Sequence, residues 1–182
     1  MAQKSKFPLS YVVVFFAALT FFMLWSRPRG ARNTVPLSRT IAYHSATLQT
    51  ARVLQIIDGD TLQVSVVDPA TRRNVALSLN IYGIETPGLA GKSGQPQPLG
   101  QHARDYLESF ITPGTEIEID LKGRNAQGLP CAVFLAAGGR DAACVLIEVG
   151  LARVKISETD PLGAHYHQAQ QVAQSSRTGI WK

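Results

Sequence analysis

The chain has 182 residues, 18 Lys/Arg against 13 Asp/Glu for a formal net charge of +5, and two cysteines. That length fits one domain with an appendage, and two cysteines exclude a disulfide-built scaffold. The charge is unevenly divided: residues 1–57 hold seven Lys/Arg and no acid, whereas residues 58–182 hold 11 Lys/Arg against 13 Asp/Glu. The part expected to fold therefore lacks the clustered basic field that nucleic-acid binding usually needs.

Residues 7–25, FPLSYVVVFFAALTFFMLW, run for 19 residues without a charge. A helix of that length spans about 28 Å, close to the hydrocarbon thickness of a bilayer. Lys4 and Lys6 precede the run, Arg27, Arg29 and Arg32 follow it, and Trp25 stands where an interfacial anchor sits. A cleaved secretory signal would have a shorter apolar core and small residues before the cut, but here the run leads directly into Trp-Ser-Arg-Pro-Arg. The expectation is a retained single-pass membrane anchor over 1–26, an Arg-rich linker over 27–46 and a folded domain over 47–182. Positive charge on both flanks leaves sidedness open. The membrane is a mitochondrial inner membrane or a bacterial envelope, and the acid-free, Arg- and Ser-containing stretch leans towards the mitochondrion.

Within the domain, LQTARVLQII (48–57) predicts a first strand, Asp58-Gly59-Asp60 a turn, and TLQVSVV (61–67) a second strand with Leu62, Val64 and Val66 inward. VALSLNIYGI (75–84) predicts a third, with Val75, Leu77, Leu79 and Ile81 on one face. Residues 87–100, rich in Gly, Pro, Ser and Gln, read as an exposed loop. Ala103, Tyr106, Leu107 and Phe110 recur at helical spacing over 101–111, and Pro113-Gly114 stops that helix. TEIEIDLKG (115–123) predicts a fourth strand with Ile117, Ile119 and Leu121 inward, and 131–136 a fifth. Asp141 is expected to cap a helix over 143–149 closed by Gly150, and 165–176 is a last amphipathic helix. Three strands, a helix, two strands and two helices predict an α+β, mainly β fold: a five-stranded OB-type barrel with three helices. Cys131 and Cys144, each among apolar residues, are expected in the core, with a bridge between them left to geometry. His165 and His167, two apart on a helix, share no face and are expected to be solvated.

IDGDT (57–61), YGIETP (82–87), GQHARDYLESFI (100–111), VLIEVGLARV (145–154) and GIWK (179–182) follow one another in an order that resembles the thermonuclease (staphylococcal nuclease-like) family, from about Thr47 to Lys182. The resemblance implies a calcium-dependent phosphodiesterase on an OB-type barrel. In such a site a cation neutralises developing charge, oxygen ligands hold it, a glutamate assists water, and two arginines clamp the phosphate. The resemblance places one metal carboxylate at Asp60, beside Asp58, and a second at Glu85, one methylene longer than the family's aspartate. It matches the carbonyl ligand to Thr86. The water-assisting glutamate falls on Gly88, the first arginine on Asn80 and the second near Leu129, with Arg124 the candidate substitute. A transition-state arginine is worth about 10³–10⁵ in rate and a positioned acid or base about 10²–10⁴. The expectation is a membrane-anchored, catalytically inactive thermonuclease-like domain, with no cofactor or calcium alone, serving as an accessory or structural subunit with protein partners in a membrane assembly. The alternatives are a membrane-tethered calcium-dependent DNA/RNA nuclease and a non-catalytic nucleic-acid-binding module.

Overall fold

The computed structural model describes residues 47–89 and 95–182. The expected anchor and linker lie outside the described residues, and among those described no helix is long and apolar enough to cross a membrane.

Strands β1 (Gln49–Asp58), β2 (Thr61–Val67) and β3 (Asn74–Ile81) form an antiparallel meander. β1 also pairs with β5 (Glu116–Arg124), and β5 with β6 (Pro130–Ala136). β6 then meets β3 in parallel through Asn80↔Cys131 and Ile81↔Ala132, closing five strands into a barrel. A two-residue β4 (Ile84–Glu85) pairs outside it with β8 (Arg153–Val154), and β7 (Arg140–Asp141) extends the sheet beyond β6. The helices are α1 (Gly100–Glu108), α2 (Ala142–Glu148) and α3 (Gly163–Ser175), with a closing 3₁₀ turn at Gly179–Trp181.

Alternation built the strands, and bulges broke it. Register shifts in β1 bring both Val53 and Ile56 into the core and leave Leu54 and Ile57 facing out. In β5 the expected inward face ends at Ile119. Asp120 is fully buried, while Leu121, next to a register shift, is 45% exposed. The Asp120 carboxylate is met by Lys122 Nζ at 2.7 Å and by the Thr47 hydroxyl, which is how a buried charge is tolerated. In β3, Leu79 and Ile81 are buried but Val75 is 38% exposed, because only the last two residues of the strand reach β6. The strand expected to run on to residue 84 stops at Ile81. Gly83 turns there at φ +82°, a left-handed conformation that glycine adopts without strain.

α2 is apolar all round: Ala142 through Ile147 are all buried, as fits a helix enclosed on every side. It packs against β6, α1 and α3. The expected cap is present: Asp141 Oδ1 accepts the Ala143 N–H at 2.8 Å, and its Oδ2 accepts the Tyr166 hydroxyl at 2.6 Å. Both cysteines are buried and unbridged. The histidines depart from expectation, since both are half-buried. His165 Nε2 lies 3.0 Å from Cys144 Sγ, and His167 Nε2 donates to the Ile156 carbonyl at 2.9 Å.

Candidate functional site

The Asp58-Gly59-Asp60 turn joins β1 to β2. Gly59 is required there by space: a Cβ would lie 2.7 Å from Ala103 Cβ on α1 and 2.7 Å from Thr86 Oγ1. The close approach carries Asp60 to the chain leaving β4. Asp60 Oδ2 accepts the Thr86 N–H at 3.0 Å, and Oδ1 accepts the Thr61 hydroxyl at 3.0 Å and the Asn80 amide at 3.3 Å. The Asn80 amide also reaches Thr61 Oγ1 at 3.0 Å. Asn80 is cross-strand from Thr61 and from Cys131, so it stands at the closing seam.

The far side of Asn80 is tied to the β5–β6 loop. Its Oδ1 accepts Asn125 Nδ2 at 3.1 Å, while Asn125 Oδ1 accepts the Gln127 and Leu129 N–H groups at 3.0 and 2.9 Å. The donors thus point one way, from Asn125 to Asn80 to Asp60, and end on a carboxylate. Burial pushes the Asp60 carboxyl above its ordinary range. Hydrogen bonds from Thr86 and Thr61 oppose that rise and the neighbouring Asp58 adds to it.

The other expected site residues are placed as follows. Asp58 Oδ1 accepts the Gly59 N–H at 2.7 Å, and Oδ2 faces the Leu89 N–H at 3.4 Å. Thr86 is buried, its hydroxyl without a well-formed hydrogen bond. Glu85 is exposed, its Oε2 2.6 Å from Lys155 Nζ. Gly88 pairs with Gln97, donating to Oε1 at 3.1 Å and accepting the Gln97 N–H at 3.0 Å, and it brings no side chain to Asp60. Leu129 is an exposed loop residue. Arg124, the candidate substitute clamp, donates from Nη1 to the Gly128 carbonyl at 2.5 Å and forms no ion pair with Asp60. The structure brings Asp60, Thr86 and Asn80 together and leaves Arg124 on its own loop.

The side chains here leave few oxygens without a protein partner. Calcium takes 6–8 oxygen ligands, yet among the described residues no group of three or more His, Cys, Asp and Glu could hold a metal ion. Both Asp60 oxygens serve protein donors, and the Glu85 carboxylate is held by an ammonium.

The one-way network makes a testable demand. Asp60→Asn removes the terminal acceptor and sets an NH₂ against donors that point inward. We expect a loss of about 1–3 kcal/mol, the effect of leaving buried polar groups unmatched, read as a lower urea midpoint.

The sequence reading missed Asn125 and Lys155. Asn125 carried a signal, because Asn before a loop glycine often bonds backbone two residues on. Lys155 carried none, since its contact with Glu85 depends on the pairing of β4 with β8.

Residues 78–182 match the family model described as staphylococcal nuclease homologue. That span starts inside β3, so it includes Asn80, Glu85, Thr86 and Gly88 and begins after the Asp58–Asp60 turn. The chain is 28% identical over 139 residues to the thermonuclease of Staphylococcus hyicus, covering 75% of this chain and 78% of that protein. It is 26% identical over 159 residues to the succinoglycan biosynthesis protein ExoI of Rhizobium meliloti (strain 1021), covering 85% of this chain and 82% of that protein.

Proposed function

The chain belongs to the family of staphylococcal nuclease homologues, and from that membership we propose that it is a non-hydrolysing member, a barrel domain tethered to a membrane by residues 7–25 and serving as an accessory subunit of an assembly there. The observation that carries this reading is Asn80. A neutral amide lies against Asp60 where the resemblance implies a guanidinium, and its far end is tied to Asn125. An amide cannot place positive charge on a phosphate as the transition state gathers negative charge. With no side chain at Gly88 and Arg124 bound to its own loop, neither the clamp nor the base has a replacement seen at Asp60 among the described residues. Losses of about 10³–10⁵ for an arginine and 10²–10⁴ for a base overlap rather than multiply, yet the loss of both arginines and the base together leaves little activity. The apolar run with basic flanks supports the tether, and the acidic balance of residues 58–182 weighs against a nucleic-acid partner.

The test is a nuclease assay on the full chain in mild detergent, with single-stranded DNA and RNA, in calcium and in chelator. We expect no cleavage above the background of Asp60→Ala. Calcium-dependent cleavage that disappears in Asp60→Ala would overturn the reading in favour of a tethered nuclease. The accessory role is checked by gentle detergent extraction from the native membrane, where co-purifying protein partners are expected and recovery as a free monomer counts against it.

A further inference from the structure

β8 lies antiparallel to β4, with Glu85 opposite Arg153. One residue further on, the Lys155 N–H donates to the Gly83 carbonyl at 2.8 Å, continuing the two-stranded ribbon. β8 is tied to α3 by the Val154 N–H, which donates to Gln170 Oε1 at 2.9 Å. Two cations therefore flank Glu85. The Arg153 guanidinium is stacked over the Trp181 ring, 4.5 Å from its centroid, and the Lys155 ammonium is left to meet Glu85 Oε2 at 2.6 Å.

We propose that Lys155 is the built-in counter-cation of Glu85, the residue that the family resemblance places among the metal ligands, and that it competes with a divalent ion for that carboxylate. The inference deepens the non-hydrolytic reading and rests on its placing of Glu85 on the metal side. With an ammonium 2.6 Å from Oε2, the negative charge that Glu85 would offer a metal ion is already shared. A divalent ion would have to displace Lys155 and then sit beside its charge. The Asp60 oxygens accept from Thr86, Thr61 and Asn80. The ribbon sets the backbone of Lys155 beside β4, within reach of Glu85.

Lys155 and Glu85 are 53% and 58% exposed, so Lys155→Met should fold normally. The test uses the full chain in detergent. Thermal melts are recorded with calcium and with chelator, and terbium luminescence titrations compare wild type, Lys155→Met and Lys155→Met/Glu85→Gln. We expect wild-type melts that superimpose with and without calcium. We also expect terbium half-saturation about two- to fivefold lower in Lys155→Met, matching the worth of an exposed ion pair, with the gain lost in the double variant. Calcium stabilisation of wild type that vanishes in Glu85→Gln would overturn the proposal, and so would a Lys155→Met titration identical to wild type. Wild-type cleavage of nucleic acid without calcium stabilisation would instead sink the non-hydrolytic reading and leave the role of Lys155 intact.

Discussion

Phe134→Ala is expected to destabilise the domain by about 3–5 kcal/mol, read as a fall in the urea midpoint with the denaturant slope unchanged. Phe134 is fully buried on β6, paired across from Ile119. The size of the effect follows from the position of β6 in the fold. It is bound to β5 along its length, to β7 at its end and to β3 at the seam, and α2 packs against it. A strand held on both edges cannot shift to fill the space a phenyl ring leaves, so the cavity penalty adds to the lost burial. Against a total stability of about 5–15 kcal/mol for a domain, one such change takes a third or more. Leu121→Ala on the neighbouring strand is the control. It removes a similarly apolar side chain that already faces water and should move stability by less than about 0.5 kcal/mol.

Asp141→Ala should cost about 2–4 kcal/mol, because one carboxylate holds two buried donors. Losing the N-cap of α2 accounts for about 1 kcal/mol, and leaving the Tyr166 hydroxyl unpaired in the core for about 1–3 kcal/mol. Asp141→Asn separates these roles from charge. Burial raises the Asp141 carboxyl above its ordinary value, against the pull of the Tyr166 hydrogen bond. A carboxyl whose folded pKa lies above its unfolded one stabilises fully below about pH 4, and that contribution is lost as pH rises through the folded value. The asparagine variant keeps an amide oxygen for the cap and cannot ionise. Stability should therefore fall less steeply from acid towards neutral pH in Asp141→Asn than in wild type, as measured by urea unfolding at matched pH values. Asp60 and Glu148 are also raised by burial and slope the same way, but they are common to both proteins and cancel in the difference.

What the sequence made legible was whatever depends on neighbours along the chain. The strands followed from two-residue alternation, α1 from its three- and four-residue spacing, and the Asp141 cap from a carboxylate two residues before the N–H it accepts. The barrel was readable because the order of elements allowed few other closures. What could not be read depends on register between distant segments. The bulge that turns Leu121 out and Asp120 in has no local mark. The solvated histidines of the sequence reading became half-buried once α3 was laid against α2, for His165, and against the segment after β8, for His167. At the site, the identities of Asn80 and Gly88 were visible at once, but the Asn125 amide that completes the network and the lysine that occupies Glu85 appear only when the β5–β6 loop and β8 are in place.

The parallel seam bears on the order of events as the chain folds. β3 and β6 share only two ladder positions and are separated along the chain by β4, α1 and the whole of β5. The β1–β2–β3 meander can zip from its own turns, whereas the seam rewards nothing until β5 has docked on β1 and brought β6 round with it. The entropy of closing that long loop is met before the contact forms. The seam is therefore a late step, and a segment held by so few pairs opens more readily than the strands beside it. Asn80 sits in the first of those two pairs, so the Asp60–Asn80–Asn125 network is completed only at the close of folding. It comes apart early when the barrel breathes, and it reports on closure of the whole barrel.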